Sequence, residues 1–253
     1  MAWIQAGYLA GKQTDARRNG AIMSIVRNLL IILVTIFLLF NTYVYGSLLT
    51  YRAVAPHRTM FMLLRMHQLA TTHPNTQLNY QWVAYNRISP NLKKALIASE
   101  DARFAEHDGF DWNGIRTAIK KNQHQGRIKA GGSTISQQLA KNLFLSESRH
   151  YWRKAEEAVI TSLLEATTNK DRIFALYLNV IEWGYGVFGA EAASKTIYGR
   201  TAMQLSAQQA AKLAVRVPRP LYYIDHPHDQ EIHRKANVIL RRMGSAQLPD
   251  NDR

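Results

Sequence analysis

The chain has 253 residues, 47% hydrophobic, with no cysteine and 32 Lys+Arg against 18 Asp+Glu, a formal charge of +14. The missing cysteine excludes disulfides, thiolate nucleophiles and thiolate metal sites, and the apolar content excludes a disordered polymer. The charge points to a polyanionic partner or surface, and nucleic acid, anionic lipid headgroups and pyrophosphates all fit it.

Residues 1–27 read as a basic leader, in which Lys12, Arg17, Arg18 and Arg27 stand against one acid, Asp15. From Asn28 to Tyr51 no side chain is charged, and the centre reads LLIILVTIFLLF. About 20 apolar residues span the hydrocarbon core of a bilayer as a helix, and positive flanks stay inside. Residues 28–51 are therefore expected to form a single-pass signal anchor with a cytoplasmic N-terminus. A cleaved signal peptide is the alternative, because the strongest apolar run is only about twelve residues long. The apolar continuation through Leu48 and Leu49 favours an uncleaved anchor.

Residues 52–91 form a mixed juxtamembrane segment, apolar at Met60–Leu64 and strand-like at Gln81–Ala84. Pro90 suits the first turn of a following helix. From Asn91 onward the pattern is helical, with no useful strand alternation. A helix over Leu92–Ser99 delivers Glu100 at its C-terminal end. Four more are marked by Ile115/Ala118/Ile119, Ile135/Leu139/Leu143, Ala155/Val159/Leu163 and Ile173/Phe174/Tyr177/Ile181. Ser206–Gln209 reads as a capping box opening a helix that runs to about Val215. A last helix spans about Asp229 to Met243, with Gly244 placed as its C′ residue. Pro218 and Pro220 break the chain between these two, and no linker divides residues 55–245. The fold class is mainly α, one domain over 92–245 with a tail at 246–253.

Glu100 ends an apolar helix beside a second acid, Asp101. Apolar surroundings and a like charge both raise a carboxyl's proton affinity, as a general base working near neutrality requires; a solvated helix terminus is the plainer reading. His107 could orient a carboxylate or pack beside Phe104 and Phe110. Gly131-Gly132-Ser133-Thr134 precedes a helix, where free N–H groups and hydroxyls suit an anion, although ordinary caps look the same. Arg127, Lys129, Lys141, Arg149, Arg153 and Lys154 crowd the same region. Glu157 follows Arg153 by four residues, either as a surface ion pair or as a second active-site carboxylate held by an arginine. No metal-binding pattern, P-loop or nucleophile elbow is present.

Five segments, in order across most of residues 82–225, resemble the signatures of the family 51 peptidoglycan glycosyltransferases. They are Glu100-Asp101-x-x-Phe104-x-x-His107-x-Gly109, then Gly131-Gly132-Ser133-Thr134-Ile135-x-Gln137-Gln138 running to Lys141-Asn142, then Arg153-Lys154-x-x-Glu157. Tyr177-Leu178-Asn179 with Gly186 and Gly189-x-x-x-Ala193, and Leu213-Ala214 through Pro218-x-Pro220, complete the set. The short anchor resembles the monofunctional proteobacterial members. Ala175, where many relatives carry a carboxylate, and Arg216, where an apolar residue is expected, depart from the pattern.

The resemblance implies a lysozyme-like, two-lobed helical domain behind one transmembrane helix, with residues 52–91 in a small membrane-contacting lobe. It implies polymerisation of lipid II into glycan strands at the periplasmic face of a bacterial inner membrane. Glu100 would be the general base and Glu157 the second carboxylate. Lys141, Arg149, Arg153 and Lys154 would hold the phosphates, with Ser133, Thr134, Gln137 and Asn142 lining the cleft and Asp101, Phe104 and His107 in support. The one cofactor it allows is a divalent cation, Mg2+ or Mn2+, bridging the pyrophosphate without a dedicated protein cage. The partners would be lipid II, the nascent glycan, the membrane, and cell-division or elongation proteins, with no nucleic acid. Against the polymerase stand a lytic muramidase on the same fold, a lipid II-binding scaffold and a membrane-tethered nucleic-acid binder.

Overall fold

A computed structural model describes residues 2–125, 132–146 and 151–249. It divides into two units, Met1–Ser47 and Leu48–Arg253. The first is almost wholly α1 (Ala2–Tyr51), one uninterrupted helix that ends in the second unit. Its stretch Ile22–Tyr51 is long enough to cross a membrane, and its apolar window has a mean hydropathy of 2.5 and is not buried. Three polar side chains within that stretch fold back on their own helix. Thr35, Asn41 and Thr42 each donate to the carbonyl four residues earlier, at 2.8–2.9 Å, so these groups need no water in an apolar medium.

The second unit is mainly helical. In chain order it comprises α2 (Met60–Thr72), β1 (Asn79–Tyr80), α3 (Pro90–Glu100), α4 (Trp112–Gln125) and α5 (Ile135–Phe144). There follow α6 (Tyr151–Thr167), α7 (Lys170–Val180), β2 (Glu182–Gly184), β3 (Val187–Phe188) and α8 (Ala190–Tyr198). It closes with α9 (Ala207–Arg216), α10 (Pro220–Asp225) and α11 (Gln230–Arg242). The helix starts follow local chemistry. Ser89 caps α3 ahead of Pro90, and Thr134 with Gln137 and Ser206 with Gln209 form reciprocal capping boxes on α5 and α9.

Two packing layers hold the unit together. Helix α5 lies against α6 and α7, and α3 against α9 and α11. Leu92, Leu96 and Ile97 of α3, Leu139 of α5, Phe174 and Leu178 of α7, and Leu213 of α9 are fully buried. Each such side chain contributes roughly 1.5–3 kcal/mol relative to exposure. The core thus fixes α5 against α7, and α3 against α9 and α11; α3, α5 and α7 carry Glu100, Gln138 and Tyr177.

Three expectations need correction. Strands do occur beyond Asn91, in a three-stranded sheet of order β1-β3-β2, with β1 parallel and β2 antiparallel to β3. They are two or three residues long, and β2 and β3 are wholly buried, so no alternation marks them. Second, Gln81–Ala84 is not a strand. The backbone of Val83 is satisfied by a side chain instead: Asn179 Oδ1 accepts from its N–H at 2.9 Å, and Asn179 Nδ2 donates to its carbonyl at 3.1 Å.

Third, α11 does not end in a left-handed Gly244; it tightens into a 3₁₀ turn over Met243–Ser245. Arg216, a departure from the family pattern, is buried and donates to the Tyr223 carbonyl at 2.8 Å. Burial lowers its pKa. Ala175 is buried too, and its carbonyl accepts from Asn179 at 2.8 Å.

Candidate active site

The site begins where α3 ends. Asp101 leaves helical geometry, with φ −160° and ψ 79°, which turns its carboxylate towards α5. There Oδ2 accepts the Ile135 N–H at 3.0 Å, and Oδ1 lies 3.0 Å from His107 Nε2. The Thr134 hydroxyl donates to the Gly109 carbonyl at 2.6 Å. Gly109 sits at φ +86°, where an added Cβ would stand 2.8 Å from Thr161 of α6. Phe104 is fully buried against Phe174, with ring centroids 5.5 Å apart. Asp101, Phe104, His107 and Gly109 therefore build the loop that follows α3 and ties it to the start of α5.

Glu100 stays on α3, is partly exposed, and among the described residues accepts one hydrogen bond, at 3.0 Å from Gln138 Nε2. Gln138 Oε1 in turn accepts from the Tyr177 hydroxyl at 3.1 Å. Burial pushes the Glu100 carboxyl up from its ordinary value; the Gln138 bond opposes this and the nearby Asp101 charge adds to it. The Tyr177 hydroxyl is pushed well above its ordinary range by burial and by the Glu100 and Asp101 carboxylates, so it remains a donor. A carboxylate with raised proton affinity and a free oxygen is suited to take a proton from a substrate hydroxyl.

One turn further along α5, Lys141 and Asn142 join Gln138 in lining a cleft of ≈ 280 Å³. Phe61 and Arg65 of α2, Glu182 of β2 and residues 217–222 complete its walls. Arg65 grips Glu182 through both its Nε, at 2.7 Å, and its Nη2, at 3.0 Å, and both residues are buried. Across the opening Arg219 lies 4.7 Å from the Tyr222 ring centroid and donates to Glu231 at 2.7 Å.

The other expected residues are placed as follows. Thr134 and Gln137 are buried and spend their side chains on the α5 capping box: Gln137 Oε1 accepts the Thr134 N–H at 3.0 Å and Thr134 Oγ1 accepts the Gln137 N–H at 3.2 Å. Ser133 is exposed just before that helix. Glu157, on α6, is buried and paired with Arg153 at 2.7 Å and with Lys154; these three do not line the cleft described above. Gly131, Arg127, Lys129 and Arg149 lie outside the described residues. Among the described residues no three His, Asp or Glu side chains gather to hold a metal ion.

Sequence reasoning assigned no role to Gln138, Tyr177, Arg65, Glu182 or Arg219. For Gln138 a signal existed. In Thr134-x-x-Gln137 the first glutamine occupies the N3 position of a capping box, which leaves the second free for Glu100. The pairing of Arg65 with Glu182 spans more than a hundred positions and carries no local pattern.

A model of the transglycosylase family matches residues 66–244. The chain is 64% identical over 228 residues to a biosynthetic peptidoglycan transglycosylase of Neisseria meningitidis serogroup C (strain 053442), covering 90% of this chain and 98% of the relative. It is 63% identical, over the same shares, to that of Neisseria gonorrhoeae. The protein of the same name from Laribacter hongkongensis (strain HLHK9) is 55% identical, over 86% of this chain and 95% of the relative. Residues 66–244 hold α3, α5 and α7 and with them the base candidate, its amide partner and the cleft walls other than Phe61 and Arg65, and this chain belongs to the transglycosylase family.

Proposed function

We propose that this protein is a peptidoglycan glycosyltransferase that polymerises lipid II into glycan strands. The observation that carries the reading is the near full-length identity to relatives named biosynthetic peptidoglycan transglycosylases. The surroundings of Glu100 support the chemistry. Glu100, with one oxygen held by Gln138, takes the proton from the 4-hydroxyl of the acceptor GlcNAc. That oxygen attacks C1 of the donor's MurNAc, the bond from C1 to the pyrophosphate oxygen breaks, and undecaprenyl pyrophosphate leaves with the electron pair. Attack opposite the leaving group inverts C1 from α to β.

A pyrophosphate leaves as a stable anion, so the site needs cations more than a protonated acid. A glycosidase differs in requiring such an acid at the leaving oxygen. In this reading Lys141 in the cleft and Arg149 meet the phosphates, together with the half-exposed Lys154 head. Arg153 and Lys154 hold Glu157, the second carboxylate, while Asn142 and Ser133 contribute polar contacts. A divalent cation bridging the pyrophosphate would draw its oxygen ligands from the substrate, since the described residues offer no cage. The domain takes the lysozyme-like, two-lobed form. The apolar part of α1 anchors it in the bacterial inner membrane, with the basic leader cytoplasmic and the domain periplasmic, where the donor lipid never leaves the bilayer.

The test incubates purified, detergent-solubilised protein with labelled lipid II and resolves the products on a gel. Muramidase-sensitive polymer from the wild type, reduced about 10²–10⁴-fold in Glu100→Gln, is expected. Near-wild-type turnover in Glu100→Gln would sink the base assignment. Bound but unpolymerised lipid II would leave a scaffold, and shortening of preformed strands would leave a lytic enzyme.

A further inference from the structure

The link from Glu100 does not end at Gln138. A glutamine amide has nearly the same shape either way round, so its partners alone decide which end faces Glu100. With the NH₂ towards Glu100 the amide stabilises the ionised carboxylate. With the oxygen towards Glu100, two acceptors meet unless the carboxyl is protonated. The far end of the amide therefore determines the state of the near end.

At that far end is Tyr177, fully buried on α7, with its hydroxyl 3.1 Å from Gln138 Oε1. Its ring stacks on Phe174 at 6.3 Å, and Phe174 packs on Phe104, so the hydroxyl is placed by the core and not by substrate. Turning the amide over would strand the hydroxyl proton, which has no other acceptor among the described residues. The loss of one buried hydrogen bond is enough to hold the amide one way by about ten to a hundred to one. Gln138 also lines the cleft, so the same side chain joins the core to the substrate-facing wall.

We propose that Tyr177 is a positioning residue for the base: through Gln138 it keeps an amide N–H, and not the amide oxygen, on Glu100. This rests on Glu100 being the base. The groups facing Glu100 are Asp101 beside it, neutral Gln138 from α5 and protonated Tyr177 from α7. Removing the tyrosine hydroxyl releases the amide, weakens its donation and raises the proton affinity of Glu100 further. The acid limb of the pH–rate profile then moves to higher pH.

The experiment measures kcat/KM on labelled lipid II against pH for the full-length wild type, Tyr177→Phe, Gln138→Leu, the double variant and Glu100→Gln. Tyr177→Phe is expected to move the acid limb up by about half to one pH unit, with a smaller loss at high pH. Gln138→Leu moves it in the same direction at least as far, and adding Tyr177→Phe to Gln138→Leu moves it no further. A rate loss at every pH with an unmoved limb would mark Tyr177 as merely structural and overturn the proposal, as would a double variant in which the two shifts add. Should Tyr177→Phe fail to fold, an unmoved limb in Gln138→Leu overturns it equally. Activity surviving in Glu100→Gln would instead refute the base assignment, a different failure with a different signature.

Discussion

Asp101→Ala removes a carboxylate that is 6% exposed and accepts from two groups. The first is the Ile135 N–H at the start of α5; Ile135 is fully buried, so no water replaces the lost partner. The second is His107 Nε2, on a ring whose other nitrogen is buried without a partner among the described residues. Each buried donor left unsatisfied costs about 1–3 kcal/mol, so the variant should lose roughly 4 kcal/mol. For a domain of this size, at about 2–4 °C per kcal/mol, the melting temperature should fall by around 10 °C. Asp101→Asn keeps one acceptor oxygen and should lose about half as much. Circular dichroism of the detergent-solubilised protein follows the transition, and hydrogen exchange at Ile135 and its neighbours localises it. A change below about 1 kcal/mol in Asp101→Ala, or equal losses in the two variants, would refute the claim that this carboxylate ties α3 to α5.

The remaining predictions concern charge and backbone. Burial raises Glu100 above its ordinary value of 4.5, so the folded state binds the proton more tightly and stability falls as pH rises from 4.5 through the folded value. Glu100→Gln should therefore match the wild type in acid and melt higher at neutral pH while losing activity; a lower melting point at neutral pH would contradict the sign. Arg65→Met strands buried Glu182 and should cost about 3–5 kcal/mol, with Arg65→Met/Glu182→Met recovering most of it; equal denaturation midpoints for the single and double variants would count against the pair. Gly189, at φ +83°, would place a Cβ 2.4 Å from the Asn179 carbonyl oxygen, so Gly189→Ala should lose well over about 3 kcal/mol. Gly199, at φ +64° with nothing within 4 Å, should lose only about 1 kcal/mol as alanine; comparable melting temperatures for the two would show that the close approach is not costly.

The helices were legible because they are amphipathic and begin with side chains that announce themselves. Ser206 with Gln209 and Ser89 with Pro90 are local signals, and the helix starts they predict lie within a residue or two of those in the structure. The small sheet was not legible, since strands of two or three residues are too short to show alternation, and β2 and β3 are buried throughout. Gly186 and Gly189 stood in the sequence as motif glycines, but the reason for them is a close backbone approach, to Gln77 and to Asn179, that only the folded chain creates. The same holds at the site. Glu100 could be singled out from its apolar neighbours, whereas Tyr177 read as one more apolar-face residue because its partner lies 39 positions away.

Two adjacent acids turn out to have separate tasks because the helix stops between them. Glu100 keeps the helical direction and meets Gln138, while Asp101, already out of the helix, turns to α5 and is consumed by the Ile135 N–H and His107. Helix α5 then carries, on successive turns, the amide that holds the base and the Lys141 that lines the cleft. Its start is fixed to the end of α3 by Asp101 and to the following loop by the bond from Thr134 to Gly109. On the proposed mechanism, the proton acceptor and the lysine that meets the phosphates therefore share one mounting. A change that loosens the start of α5 should shift base strength and phosphate affinity together, whereas a change at Tyr177 should shift base strength alone.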